Sequence, residues 1–177
     1  MPLLPSSLIR ILVCSCLFAI STRGVTLEQI DGSPNLTPER FASFFRSFAF
    51  RFHAEVQSSE TFLATESGDC DDYAILASNV LHHHGYSPRL IAIRMPQIVH
   101  VVCYIPETNS YLDYNLRARS TGLVECRPEI AEIARSVARS YGAKWSSASE
   151  FTFQDGAKRL VETVVEGRQK QLASNGH

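Results

Sequence analysis

The sequence predicts a single α+β domain in which helices come first, a small antiparallel sheet follows and further helices complete the chain. Phenylalanines recur at helical spacing around residue 45, and three short runs of β-branched and aromatic residues lie between residues 88 and 114. Apolar residues return to helical spacing after residue 128. A chain of 177 residues is long enough for one compact core and too short for two domains of ordinary size.

The first helix is predicted to start at Thr37-Pro38-Glu39. Threonine is a favourable N-cap, proline fits the first helical position, and the acid faces the positive end of the helix dipole. Phenylalanines then stand at positions 41, 44, 45, 48 and 52. Three- and four-residue spacing of this kind is typical of a helix face in the core rather than of an aromatic ligand site.

A second helix is predicted to begin at the Gly68-Asp69-Cys70 turn and to run to about His84, with Gly85 as its C-terminal stop. The apolar residues of this segment fall on one face, so the helix should be mostly buried. They are Tyr73, Leu76, Ala77, Val80 and Leu81.

Three strands and two covering helices are predicted further along the chain. The strands are Pro88 to Arg94, Val99 to Ile105 and Tyr111 to Tyr114, which are separated by turn residues. The helices are Pro128 to Tyr141 and Ala157 to Leu172, in which apolar residues recur at helical spacing.

The overall composition excludes two broad classes of protein. The chain is 45% hydrophobic and 20% charged, with a formal net charge of -1. Such a chain is neither disordered by composition nor basic enough to present a surface for nucleic acid. We therefore expect a globular protein that does not bind DNA or RNA.

The N-terminus has the profile of a signal peptide, predicted to cover residues 1–24, with the folded domain at residues 25–177. Arg10 precedes an apolar run from Ile11 to Ile20, and small or polar residues follow. This run falls short of the roughly 20 residues that span a bilayer, so no stable membrane span is expected. An uncleaved anchor or a buried helix is the alternative. Val13-Cys14-Ser15-Cys16 resembles a bacterial lipoprotein cleavage box, so the predicted location is secreted or periplasmic, with a form lipid-anchored at Cys16 left open.

Three cysteines remain after the predicted signal peptide, namely Cys70, Cys103 and Cys126. An odd number in an exported protein leaves one thiol that is either reactive or buried and inert. If Cys70 is the reactive one, Cys103 and Cys126 are either a disulfide pair or two unpaired core cysteines.

The strongest chemical indication lies in the segment from Ser67 to Ala74, where a cysteine stands at the predicted start of a helix. Free N–H groups and the helix dipole lower the pKa of a thiol at such a position and make it a nucleophile. Asp69, Asp71 and Asp72 oppose this by repelling the negative charge of the thiolate. A basic partner must compensate, and an imidazolium is the usual one.

His100 is the candidate base, because it is a titratable residue within an otherwise apolar strand. The midpoint between His100 and Asp113 is (100 + 113)/2 = 106.5, which falls on the turn residues Pro106-Glu107. A hairpin centred there would place the two side chains directly opposite each other on the same face. Asp113 could then orient the imidazole and stabilise its charged form. Asn115 is the alternative orienting residue, and a purely structural histidine is the alternative for His100.

These motifs together resemble the transglutaminase-like core, and most of all the bacterial transglutaminase-like cysteine proteinases. The resemblance rests on Gly68-Asp69-Cys70-Asp71-Asp72-Tyr73-Ala74-Ile75, then a histidine in a strand, then Tyr111-Leu112-Asp113-Tyr114-Asn115. It implies a papain/transglutaminase-like fold with Cys70 as nucleophile, His100 as base and Asp113 as orienting residue. Two departures are Asp71, where that group has glutamate, and the lack of a tryptophan before Cys70.

The resemblance also implies a reaction and its substrate. The activity would be acyl transfer at amide bonds of a protein or peptide, with water as acceptor in a cysteine peptidase or amide hydrolase. A transglutaminase or deamidase is the alternative, as is an exported binding domain that kept the fold and lost the chemistry.

Two further site features are open at this point. The backbone N–H of Cys70 and the side chain of Gln57 are candidates for an oxyanion hole, although Gln57 could equally be a solvated residue at a helix end. The chemistry needs no cofactor, but relatives bind calcium through the acids that flank the cysteine, which are Asp69 and Asp71 here. Two carboxylates are few for calcium, and helix capping is their alternative role.

Overall fold

The computed structural model describes residues 24–119 and 122–167 of the chain. The predicted signal sequence and Cys16 lie in residues 1–23, outside the described residues. Within the described ranges, no helix is both long enough and apolar enough to cross a membrane.

The described residues form five α-helices and eight strands. The helices are α1 (Leu27–Asp31), α2 (Pro38–Ser43), α3 (Ser59–Thr65), α4 (Cys70–His83) and α5 (Ile130–Ser140). The strands are β1 (Ala49–Phe50), β2 (Ser67–Gly68), β3 (Arg89–Arg94), β4 (Val99–Ile105), β5 (Ser110–Leu112), β6 (Leu123–Glu125), β7 (Ser147–Gln154) and β8 (Ala157–Val165).

Six strands form one antiparallel sheet in the order β6-β5-β4-β3-β7-β8, and β1 and β2 form a separate parallel pair. Alternate residues of β4 enter two different cores. Val101 and Cys103 pack with α4, whereas Val102 and Tyr104 pack with α5. Because both faces of β3 and β4 are covered, these strands are apolar almost throughout. The predicted α+β class with an antiparallel sheet is confirmed.

The prediction for the first helix is confirmed at its start and partly wrong at its end. Thr37 caps α2 by accepting a hydrogen bond from the Arg40 N–H, but the helix ends at Ser43. Phe41, Phe45 and Phe48 are buried, whereas Phe52 is 75% exposed. Because the helix ends well before Phe52, this residue does not belong to the buried apolar face that the sequence predicts.

The second helix, the three strands and the helix after residue 128 are confirmed, with ends that differ by a few residues at most. In particular, α4 starts at Cys70, with Asp69 as its N-cap. The thiol is therefore at the first position of the helix, as the sequence predicts.

The predicted helix from Ala157 to Leu172 is wrong, because residues 157–165 form strand β8. The two residues before it, Asp155 and Gly156, have φ of 53° and 73° and join β7 to β8 as a two-residue hairpin loop. Asp-Gly is a strong hairpin dipeptide, since both positions of this turn need positive φ. Residues 168–172 of the predicted helix lie outside the described residues.

Candidate active site

Cys70 stands at the N-terminus of α4 in a turn held by two aspartates. The Asp69 side chain accepts a hydrogen bond from the Asp71 N–H, and the Asp72 side chain accepts one from the Asp69 N–H. This is the reciprocal arrangement of a capping box, which fixes the direction in which a chain enters a helix. The first helical N–H groups have no acceptor inside the helix, so the Cys70 backbone N–H is free to serve a ligand.

The surroundings of the thiol hold it in the protonated form. The pKa of Cys70 is raised to about 12, first by burial and then by the charges of Asp71 and Asp69, against a lowering by the Val101 N–H. The thiol also lies 3.6 Å from Asp71 Oδ1, to which it donates. The helix start alone does not produce a thiolate at neutral pH here.

His100 and Asp113 form a buried pair. The His100 Nε2 lies 2.9 Å from Asp113 Oδ1, and the side chains are 3% and 1% exposed. The same Asp113 oxygen accepts the Asn115 N–H at 2.9 Å, whereas Asp113 Oδ2 has no partner among the described residues. Asn115, the alternative orienting residue, therefore supports the carboxylate rather than the imidazole.

The predicted register of this hairpin is wrong by two residues, although the His100 and Asp113 side chains are in contact as predicted. Cys103 pairs with Leu112 and Ile105 with Ser110, because the turn takes four residues, 106–109, with a left-handed Asn109 at its end. The shift moves Asp113 from a position directly opposite His100 to a diagonal one on the same face. Side chains of this length still meet across a diagonal.

Tyr141 is a member of the site that sequence reasoning missed. It is the C-cap residue of α5, and its hydroxyl lies 3.2 Å from His100 Nδ1. The two rings pack with centroids 5.1 Å apart, and the Asn115 side-chain amide donates to the Tyr141 oxygen. Burial raises the pKa of Tyr141 well above its ordinary range, and the charges of Asp113 and Cys70 add to that effect. The sequence gives no indication of this contact, since 41 residues separate the partners.

The acids flanking Cys70 form a compact group with it, and both carboxylates already have partners in the protein. Ligand atoms of Asp69, Cys70 and Asp71 all lie within 4.8 Å of one another. The oxygens of Asp69 accept the N–H groups of His53 and Asp71, and Asp71 is paired with the ammonium of Lys158 on β8. Calcium takes six to eight oxygen ligands, and an ammonium already neutralises one of the two carboxylates.

Gln57 lies near the turn with its amide already engaged. Its Nε2 donates to Asp72 Oδ2 at 2.7 Å and to the Ser67 carbonyl at 3.2 Å, and its backbone N–H donates to Asp72 Oδ1 at 2.7 Å. These contacts use both N–H groups of the amide. To donate to an oxyanion, Gln57 would have to release one of them.

The other two cysteines lie in different layers. Cys103 is fully buried in the core beneath α4, and Cys126 packs partly buried against the core beneath α5. Both are free thiols, as is Cys70.

A family model for a transglutaminase-like domain matches residues 28–117, which is half of the chain and includes Cys70, His100 and Asp113. The chain therefore belongs to the transglutaminase-like family. This agrees with the resemblance seen in the sequence and with the observed order of a helix that starts at a cysteine, followed by strands that bring a histidine to an aspartate.

Among solved structures, the chain is similar to LapG from Legionella pneumophila. The calcium-bound form is 18% identical, with 79% of this chain and 78% of that one covered and a TM-score of 0.45. A second LapG structure is 20% identical, with 76% and 71% covered and a TM-score of 0.46. An EGTA-treated form is 18% identical, with 78% and 76% covered and a TM-score of 0.45. Likeness of this degree says nothing about the substrate or metal of this chain. No curated protein matches it.

Proposed function

We propose that the protein is a cysteine-nucleophile enzyme that acts on amide bonds of proteins or peptides by acyl transfer. Membership of the transglutaminase-like family supports this class of chemistry. The observation that carries the proposal is the buried contact between His100 Nε2 and Asp113 Oδ1 at 2.9 Å. A buried carboxylate orients an imidazole and stabilises its charged form, which is what a base serving a thiol needs.

The proposed reaction begins with a proton transfer and ends with a thioester on Cys70. His100 takes the proton of Cys70, and the thiolate attacks the carbonyl carbon of the substrate. The Cys70 N–H donates to the resulting oxyanion, for which Gln57 is a second candidate donor. The imidazolium then gives its proton to the leaving amine as the carbon–nitrogen bond breaks, leaving a thioester on Cys70.

Resolution of the thioester decides between the two enzymatic alternatives. Water, deprotonated by His100, gives an acid and the free thiol, which makes the protein a cysteine peptidase or amide hydrolase. An amine in place of water makes it a transglutaminase. We favour water, because the motif around Cys70 resembles most the cysteine proteinases among transglutaminase-like proteins.

A binding domain without turnover is the candidate from another class, and one observation favours it. The pKa of Cys70 is raised rather than lowered, and no hydrogen bond between described residues joins its thiol to the His100 ring. Under the enzymatic proposal this is a resting arrangement, whereas under the binding proposal it is permanent.

The relative reactivity of the three cysteines distinguishes the enzymatic proposal from the binding proposal. Under the enzymatic proposal, iodoacetamide at pH 7 labels Cys70 much faster than Cys103 or Cys126, and His100→Ala slows only the labelling of Cys70. Mass spectrometry of the tryptic peptides measures all three rates in one sample. Equal rates that do not respond to His100→Ala would leave the binding domain as the better account.

For cofactors, we propose that the chemistry requires none, and that calcium can bind at Asp69 and Asp71 only if Lys158 first releases Asp71. Calorimetry with calcium on the chelator-treated protein and on Lys158→Met tests this. Binding that strengthens in Lys158→Met supports a competition for Asp71. If neither protein binds calcium, the acids serve the helix N-terminus alone.

We also propose export, with residues 1–24 removed as a signal peptide and a lipid-anchored form as its variant. The apolar run before residue 21 is the support. Intact-mass analysis of protein from its native host should give a chain that starts between Ser21 and Thr26. A soluble cytoplasmic product that keeps Met1 would rule the proposal out.

A further inference from the structure

The ring of His100 is held at both nitrogens. Asp113 Oδ1 lies 2.9 Å from Nε2. Because a carboxylate accepts hydrogen bonds and does not donate them, Nε2 carries the proton in the neutral ring and the lone pair is on Nδ1. Nδ1 is therefore the nitrogen with which His100 can act as a base.

That nitrogen is already occupied by Tyr141. Its hydroxyl lies 3.2 Å from Nδ1, and the amide of Asn115 donates to the same hydroxyl oxygen. With its oxygen accepting from Asn115, the hydroxyl has its proton available for Nδ1. Asn115 also donates its backbone N–H to Asp113 Oδ1, so one residue supports both ends of the chain of hydrogen bonds.

Cys70 is not part of this hydrogen-bond network. Its thiol donates to Asp71 Oδ1 at 3.6 Å, whereas the Tyr141 hydroxyl lies 3.2 Å from His100 Nδ1. One lone pair in the plane of the imidazole accepts one strong hydrogen bond. The Tyr141 hydroxyl and the Cys70 thiol cannot both have it.

We infer that Tyr141 is an inhibitory clamp on the base: its hydroxyl holds His100 Nδ1 in the resting protein, and Cys70 gains its base only when Tyr141 lets go. This rests on the proposed function, since it assigns His100 as the base for Cys70. Tyr141 is well placed to move, because it lies at the end of α5 and also lines a surface cavity of about 430 Å³ with the apolar loop residues Met95, Pro96 and Ile98. A peptide that enters this cavity displaces the tyrosine ring and frees Nδ1.

Tyr141→Phe tests the clamp, because it removes the hydroxyl and keeps the ring that packs on His100. We expect iodoacetamide to label Cys70 roughly fivefold faster at pH 7 in this variant, the effect of a hydrogen bond of ordinary strength. Tyr104→Phe is the matched control, since it removes a hydroxyl that donates to the Cys126 carbonyl. Its labelling rate at Cys70 should equal that of the unmodified protein.

The double variant Tyr141→Phe with His100→Ala separates this inference from the proposed function. If the clamp acts through His100, the gain in labelling disappears in the double variant. Slower or unchanged labelling in Tyr141→Phe overturns the clamp while leaving the role of His100 intact, and a gain that persists without His100 overturns it as well. Equal labelling of the unmodified protein and His100→Ala, with no gain in Tyr141→Phe, overturns both.

Discussion

The two halves of the site differ in how their charges are arranged. Around Cys70, burial and the flanking Asp71 and Asp69 raise the pKa of the thiol to about 12, and the Lys158 ammonium that pairs with Asp71 comes from the distant strand β8. Around His100, one buried carboxylate meets one imidazole, and every contact orients that ring. The neighbours of the nucleophile thus oppose its ionisation, whereas the base is oriented by Asp113 while its other nitrogen is held by Tyr141. The reactivity of Cys70 must therefore depend on contact with His100 rather than on its position at the helix start.

The largest effect on turnover is expected when the negative charge of Asp113, beside the base, is removed. Asp113→Asn keeps an oxygen for the His100 and Asn115 N–H groups, both of which bond the same atom Oδ1, but it loses the negative charge that stabilises the imidazolium. Turnover of an N-acyl amino-acid p-nitrophenyl ester should fall by about 10²–10⁴-fold, the range that general acid–base catalysis supplies. The melting temperature should stay close to that of the unmodified protein. Loss of turnover together with loss of folding would show only that the buried pair is structural.

Removal of a charge beside the nucleophile should have the opposite effect and make Cys70 more reactive. Asp71→Asn removes a charge and a hydrogen bond that both raise the pKa of Cys70. The fraction of thiolate at pH 7 should rise up to about tenfold, since one pKa unit is a factor of ten. Iodoacetamide labelling of Cys70 against pH measures this, and its rise should move to lower pH. Asp31→Asn, a surface change, is the control, and a profile that does not move would mean that Asp71 does not act on the thiol.

A smaller effect on the labelling rate of Cys70 is expected from the loss of Lys158, the cation that pairs with Asp71. Lys158→Met leaves Asp71 without its counter-charge and so raises the pKa of Cys70 further, which slows labelling at pH 7. The Lys158 side chain is 45% exposed, so solvent screens the pair and the rate should fall only about two- to threefold. Lys144→Met serves as the control for loss of one positive charge. Faster labelling in Lys158→Met would contradict the account of this half.

The sequence predicted those parts of the fold and site that local rules determine. The start of α4 at Cys70 follows from a glycine turn and an aspartate cap, and β4 follows from a run of β-branched residues with clear ends. The fold class and the pairing of His100 with Asp113 followed from these elements. The exact register did not, because the length of a turn such as 106–109 depends on backbone conformations that many residues can adopt.

The parts that were missed come from distant contacts or from an ambiguous pattern. The four apolar residues of β8, Leu160, Val161, Val164 and Val165, fit a helix and a strand equally well, and the Asp155-Gly156 dipeptide was the deciding feature. Lys158 and Tyr141 reach the site from elements 87 and 41 residues away from their partners. No local pattern encodes such contacts, since they depend on how the sheet and α5 pack. The Asp72 half of the capping box, by contrast, was readable in the sequence from its position three residues after Asp69.

The central claim, that Cys70 becomes acylated with the help of His100, is tested most directly by a burst experiment. The protein is mixed with an N-acyl amino-acid p-nitrophenyl ester, release of p-nitrophenol is followed in time, and the acylated peptide is located by mass spectrometry after acid quench. We expect a burst stoichiometric with the protein and a hydroxylamine-sensitive acyl group on Cys70, absent in Cys70→Ala and formed far more slowly in His100→Ala. An acyl group found elsewhere, or a burst indifferent to the loss of His100, would contradict the claim.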